Sequence, residues 1–224
     1  MWLIHSSIGR KVIMSVTGIF LILFLTFHSI MNVTVLIGGD IYNAICEFLG
    51  ANWYAVAASL VLALGFVCHI LYASYLTWLN YKARGNDRYA VSKSQEGVKW
   101  ASKNMFVLGL IIFGFLGLHL FQFWYKMQYA ELTGIHTGDF HPADGTAFIV
   151  QLFSQPVYSI MYIVWLAALW FHLTHGVWSA LQSIGLNNKT WLPRVKCFAN
   201  IYSTFIILLF MAIPVFFLFG FRPM

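Results

Sequence analysis

Apolar residues run in five long stretches, and the polar residues fall mostly between them. The uncharged runs span residues 12–37, 53–79, 104–125, 157–184 and 198–219. A stretch of 18 or more apolar residues without charge is long enough to cross a hydrocarbon core as a helix. The pattern therefore predicts an all-α integral membrane protein of five transmembrane helices. Residues 1–224 then form a single bundle with no room for a separate soluble domain. The first run is too long for a signal-peptide core and is read as retained. No repeat at a fixed period is visible.

Punctuation supports these limits. Gly38-Gly39-Asp40 marks a turn after the first run, and Ile45-Cys46-Glu47-Phe48-Leu49 reads as a short surface helix. Pro156 suits the first turn of the fourth helix. Pro193 precedes the fifth, and Pro214 within it predicts a kink. That fifth run carries no histidine and is expected to pack on the outside of the bundle. Trp2 near the N-terminus and Trp124-Tyr125-Lys126 after the third run read as interfacial anchors.

Composition agrees: 60% of residues are hydrophobic and 9% are charged, against about 25% charged in soluble domains. The net charge of +6 raises nucleic acid as a partner, but the placement of the charges excludes it. Arg10, Lys11, Lys82, Arg84, Arg88, Lys93, Lys99, Lys103, Lys189, Arg194 and Lys196 all fall on one side of the predicted membrane. Lys126 and Arg222 fall on the other, with Asp40, Glu47, Glu131, Asp139 and Asp144. The positive-inside rule puts the basic side and the N-terminus in the cytoplasm, with the C-terminus outside. The basic loop 83–103 is either a solvated topology signal or a docking platform for a soluble partner.

The three cysteines, Cys46, Cys68 and Cys197, are scattered and form no C-x-x-C, which argues against an iron–sulfur cluster on this chain. His136, Asp139 and His141 share a solvated outer loop and have only a superficial look of metal ligands.

The chemistry lies in the spans. His28, His69 and His119 stand one per run in the first three, and His172 and His175 share the fourth. A polar side chain in hydrocarbon is costly and is a functional candidate by default. One such histidine is ordinarily a polar helix contact; one in each of four successive spans is not. His172, His175, Ser179 and Gln182 also form a polar stripe at helical spacing.

Depth sorts the histidines into pairs. His28 is 12 residues before Asp40 and His119 is 12 before Glu131, so both lie roughly 18 Å below the outer edge. His69 is 13 residues before Lys82 and His175 is 14 before Lys189, roughly 20 Å from the inner edge. His172 misses that level by almost one turn. The expected pairs are His28 with His119 outside, and His69 with His175 inside. Two imidazoles without a thiolate or carboxylate leave a tetrahedral metal site short of ligands. Two haems, each with both axial positions filled by histidine, fit the count, and such haems carry electrons instead of activating ligands. Gly65, Gly176, Gly18, Gly114 and Gly117 are candidates for making room between helices. Lys126 is two α-helical turns past His119 and is the candidate partner of an outer-haem propionate, against simple snorkelling.

These residues carry a resemblance. Ser7-Ile8-Gly9-Arg10-Lys11 running into Thr17-Gly18, Phe27-His28, His69, Gly117-Leu118-His119 and His172-Leu173-Thr174-His175-Gly176-Val177-Trp178-Ser179 resemble the cytochrome b membrane subunit of succinate:quinone oxidoreductases. The group includes succinate dehydrogenases and quinol:fumarate reductases, and the form resembled is the single-chain, five-helix, dihaem one. The resemblance implies two haem b groups, with the fourth axial ligand at the His175-Gly176 step. It implies a flavoprotein subunit with FAD and an iron–sulfur subunit on the cytoplasmic face, and menaquinone in the membrane. It allows a dimer of such heterotrimers, and the direction of turnover is not written in the chain. In related fumarate reductases an acidic residue between the first two spans serves the quinone, and Glu47 occupies that neighbourhood. Some relatives carry a glutamate two residues before the fourth ligand; here that position is Leu173, which leaves either His172 as the proton carrier or no such path. Two alternatives remain open: the cytochrome b of a hydrogenase or formate dehydrogenase, and a haem-free helical transporter or anchor.

Overall fold

The structure, a computed structural model, describes residues 6–50, 52–84, 100–135, 138–221 and 223. Trp2, most of the basic loop with Arg88, Lys93 and Lys99, and also His136 and Arg222, lie outside the described residues. The chain is all-α, and five of its helices are long and apolar enough to span a membrane: Ser7–Leu36, Trp53–Ala83, Met105–Thr133, Pro156–Ser183 and Trp191–Leu218. They match the five uncharged runs. The protein is thus a multi-pass membrane protein. The end bearing Lys82, Lys103, Lys189, Arg194 and Lys196 is called inner below, and the opposite end outer.

Helix α1 (Ser7–Val33) starts where the Ser6 hydroxyl accepts a hydrogen bond from the Gly9 N–H at 2.9 Å, satisfying one of the free donors of the first turn. Along α1, Ser15, Thr17, Thr26 and Ser29 donate their hydroxyl protons to carbonyls three or four residues back. That local bond lets a hydroxyl sit among apolar side chains at small cost. A short 3-10 turn (Thr34–Leu36) leads to α2 (Gly39–Leu49), which is longer than the expected 45–49 and starts at the glycine pair. The long helix α3 (Trp53–Arg84) follows.

The third span is compound. After the short α4 (Trp100–Lys103), α5 (Met105–His119) passes directly into a π-helix, π1 (Leu120–Tyr129), and then α6 (Ala130–Thr133). Gly134 ends it in the left-handed region at φ 68°, a conformation glycine adopts without steric penalty. This span therefore runs beyond the expected limit at residue 125. The outer connection, read from sequence as a loop, contains α7 (Gly145–Phe153). The Asp144 carboxylate caps it by accepting from Ala147 N–H at 3.0 Å.

Helix α8 (Pro156–Ser183) has Pro156 in its first turn, as expected. Helix α9 (Trp191–Leu218) starts seven residues before the expected limit, because the Asn188 side chain accepts from Trp191 N–H at 2.7 Å and Pro193 falls in the first turn, where no donor is needed. Pro214 is fully buried inside α9, which continues to Leu218.

The core is built on α8. Its Leu166, Leu169 and Leu173 pack with Ile207 of α9, Ile22 and Leu25 of α1 and Ile112 of α5. Nearer the outer end, Tyr162 and Trp165 join Val35, Tyr42, Ile149, Phe153, Ile213 and Phe217. Buried Ser159 and Ser203 allow close helix approach, and the Trp170 indole donates to Thr204 at 3.0 Å across the α8–α9 contact. The fifth span is therefore not peripheral: α9 packs along α8 and also against α1. The peripheral helix is α3, which meets α1 and, less extensively, α5. The fifth run has no histidine to reveal a place in the core; its burial comes from apolar and small residues, which read alike on lipid and protein faces.

Candidate intramembrane histidine centres

Five intramembrane histidines come from four helices. His28 lies on α1, His69 on α3, His119 at the last residue of α5, and His172 and His175 on α8.

Toward the outer end, the rings of His28 and His119 stand 5.8 Å apart, centre to centre, at 85°. Aromatic side chains enclose them. Phe24 stacks on His28 at 5.1 Å, and Phe210 of α9 lies 5.7 Å away. Phe123, Trp165 and Tyr162 surround His119 at 5.2, 5.8 and 6.2 Å. Trp165 is itself stacked on Phe115 at 5.7 Å, and its indole nitrogen is buried without a partner.

Hydrogen bonds assign some of the ring protons. The Tyr162 hydroxyl donates to the Gln122 side-chain oxygen at 2.6 Å. With that proton committed, its oxygen can only accept from His119 Nδ1, 3.4 Å away. His119 then carries its proton on Nδ1 and keeps the Nε2 lone pair. His28 is held differently: the Asn32 amide nitrogen is 3.2 Å from Nδ1 and 3.5 Å from Nε2, and donates to the His28 carbonyl at 2.8 Å. Asn32 in turn accepts from Tyr42 at 3.0 Å, tying the outer centre to α2.

Toward the inner end, His69 Nδ1 lies 3.1 Å from the Thr17 hydroxyl. Thr17 donates to the carbonyls of Ile13 and Met14, so its oxygen accepts and His69 also keeps Nε2 free. His172 is within electrostatic range of both His69 and His175. The Nδ1 atoms of His172 and His175 are buried without partners. His175 packs on Trp178 at 4.8 Å, and the Lys196 ammonium lies 4.8 Å from the other partner of that contact, the Trp178 ring. A cation thus stands close to the inner group.

These residues fit a haem by their donor chemistry. A metal binds an imidazole nitrogen at roughly 2 Å, so two rings sharing one ion are roughly 6 Å apart at their centres; His28 and His119 meet that spacing. His69 and His119 have Nδ1 turned to an acceptor on another helix, which is how metal-bound histidines are ordinarily oriented. The orphaned nitrogens of His172 and His175 are the kind of buried polar atom that ligation satisfies. Among the described residues no three His, Cys, Asp or Glu side chains gather into a metal-ion site.

The glycines divide. A Cβ on Gly18 would meet His69 at 3.8 Å, and one on Gly114, Gly117 or Gly176 would meet nothing within 4 Å. Gly65 differs: the ring of Phe20 fills the groove it opens, with an atom 2.4 Å from where a Cβ would sit. Gly109, which sequence reasoning passed over, borders His172 at 3.8 Å.

Lys126 lies in π1, and its stem packs beside Gly138 of the outer loop. The wider i→i+5 turn of a π-helix rotates it away from the position that α-helical spacing from His119 predicts. Glu47 is exposed and borders a shallow outer hollow of about 380 Å³ with Asp40, Asn43 and Asp144. Asp139 accepts from Gln151 at 2.9 Å, and His141 accepts from Ala143 N–H at 3.3 Å; both serve the loop locally. Burial pushes the Cys46 thiol up to about 11 and the Tyr42 hydroxyl beside it well above its ordinary value.

Sequence reasoning missed Thr17, Gln122, Tyr162 and Lys196. Thr17 had entered only within the Thr17-Gly18 step that carries the resemblance and Lys196 only as a topology charge; Gln122 was signalled only as a polar residue in an apolar run, and nothing in the spacing singled out Tyr162 among many aromatics. Comparison with protein families, with curated proteins and with solved structures found no match to this chain.

Proposed function

We propose that this chain is the membrane-anchoring dihaem cytochrome b subunit of a succinate:quinone oxidoreductase in a bacterial cytoplasmic membrane. It would serve exchange of electrons between a cytoplasmic flavoprotein and iron–sulfur pair and membrane menaquinone. The observation that carries the reading is the meeting of His28 and His119 at 5.8 Å between two helices, inside an aromatic and apolar shell.

His28 and His119 would hold the outer haem, and His69 and His175 the inner one. Haem, when bound, would supply a one-electron centre. The protein's own residues orient and insulate: Thr17 and Tyr162 fix ring tautomers, and Phe24, Phe210, Phe123 and Trp165 exclude water. Lys196 places positive charge near the inner group, and Lys126 is the candidate for an outer propionate. Glu47 at the outer hollow is the candidate to exchange a proton with quinone. The basic inner end suits docking of acidic soluble subunits. The bias of basic residues supports a cytoplasmic N-terminus.

The test is a spectrum and a haem count on the purified chain. A b-type α-band and two haems per chain are expected, and His28→Leu and His119→Leu should each remove the same haem. A colourless chain overturns the proposal. FAD, iron–sulfur and succinate or fumarate turnover in a native pull-down should identify the complex. Hydrogenase or formate dehydrogenase activity in its place would assign the chain to that other electron-transfer class.

A further inference from the structure

We infer that Tyr162 is a positioning residue for the outer centre, accepting the Nδ1 proton of His119 and so presenting the ring to haem iron through Nε2. The inference rests on the haem reading above and adds a residue from a different helix.

Tyr162 is 5% exposed, and a phenol buried this deeply needs a partner. Two rings hold it: Phe153 edge-on at 5.0 Å and Trp165 edge-on at 5.5 Å. The hydroxyl is therefore set by packing between α7 and α8 and not by the histidine. Its single proton goes to Gln122, at 2.6 Å. Gln122 lies in the first turn of π1, three residues past His119. One span thus supplies both the ligand and the acceptor at the far end of the relay, and α8 supplies the link between them. The direction of the relay is fixed at the Gln122 end, since an amide oxygen has no proton to give. At 3.4 Å the bond to Nδ1 is long. It is enough to select a tautomer, because the reverse tautomer would set the Nδ1 lone pair against a lone pair of the Tyr162 oxygen.

A hydrogen bond from Nδ1–H gives the ring more imidazolate character. A more basic ligand stabilises ferric over ferrous iron. Removing the acceptor should therefore raise the midpoint potential of that haem alone.

The experiment is a spectroelectrochemical titration of the full chain with its haem, with Tyr162→Phe and Gln122→Glu. The haem lost in His28→Leu identifies the outer centre. Tyr162→Phe should keep both haems and shift the outer potential upward. Gln122→Glu offers Tyr162 a stronger acceptor and should shift it downward, more so as pH rises and the carboxyl ionises. Because a carboxylate also lowers the potential by its charge alone, Gln122→Glu is repeated in the Tyr162→Phe background, where the part of its shift that runs through the relay should be lost. If both haems are bound and neither variant moves the outer potential, or both centres move together, the inference is overturned while the haem reading stands. A wild-type chain without haem overturns both. Should Tyr162→Phe fail to fold, Gln122→Leu decides: it adds no charge and frees the Tyr162 proton, so the outer potential should rise, and an unmoved potential overturns the inference.

Discussion

Thr17 on α1 accepts the Nδ1 proton of His69 on α3 at 3.1 Å, because its own proton already serves the carbonyls of Ile13 and Met14. This bond fixes a ring on the most peripheral of the five spans. Thr17→Val keeps the shape and removes the acceptor. Polar contacts between membrane helices are worth roughly 0.5–2 kcal/mol, so thermal stability in detergent should fall by that amount. On the haem reading proposed above, the potential of the haem that His69 would hold should rise. Thr17→Ser should restore both. An unchanged melt and potential in Thr17→Val would remove Thr17 from the centre.

Gly65 tests how α3 is attached. The ring of Phe20 occupies the groove that Gly65 leaves, with a carbon 2.4 Å from an added Cβ. Gly65→Ala should displace that ring and cost about 1–3 kcal/mol, read as a lower melting temperature. Gly114→Ala meets nothing within 4 Å and should be neutral, or stabilising by up to about 1 kcal/mol through helix propensity. Equal effects at the two positions would contradict the packing described.

The thiol of Cys46 gives a pH dependence outside the membrane spans. Its pKa is raised from 9.0 to about 11, first by burial. A raised acid keeps its proton longer in the folded chain than in the unfolded one. Stability is therefore full below pH 9 and declines as pH rises from about 9 to 11. Cys46→Ser should flatten that decline. Alkylation of Cys46 should stay slow at neutral pH and accelerate only on approach to pH 11, since the thiolate is the nucleophile. Rapid labelling at pH 7.5 would show the site to be open.

The five spans were legible because length and lack of charge report membrane crossing almost directly. The levels of His28 and His119 were legible too, since helical rise turns residue counts into depth. Other features depend on information that spacing does not carry. The π-helix after His119 breaks the 3.6-residue count, so the α-helical spacing from His119 to Lys126 does not carry through this span. α7 was hidden in a loop because nine residues between Gly145 and Phe153 are too few to show a period, although the Asp144 cap was there to read. The central place of α9 was invisible because lipid and protein interior select the same apolar residues. Tyr162 and Gln122 acquire meaning only once two helices are brought together.

His172 and His175 separate two versions of the inner centre. Their rings stand three residues apart on α8, about 4.5 Å in depth, so one iron level cannot suit both. Each has a buried Nδ1 without a partner. His172 lies within the electrostatic range of His69 and beside Gly109, whereas His175 has Trp178 and, through it, Lys196. With His175 as the axial ligand, His175→Leu should leave one haem per chain with the outer spectrum intact. His172→Leu should then retain two haems, with at most a shift in the inner potential. Pyridine-haemochrome counts on the two variants decide the matter. Loss of a haem in His172→Leu, with two retained in His175→Leu, would move the ligand one turn outward on α8, to His172, and away from the Trp178 contact that brings Lys196 near His175.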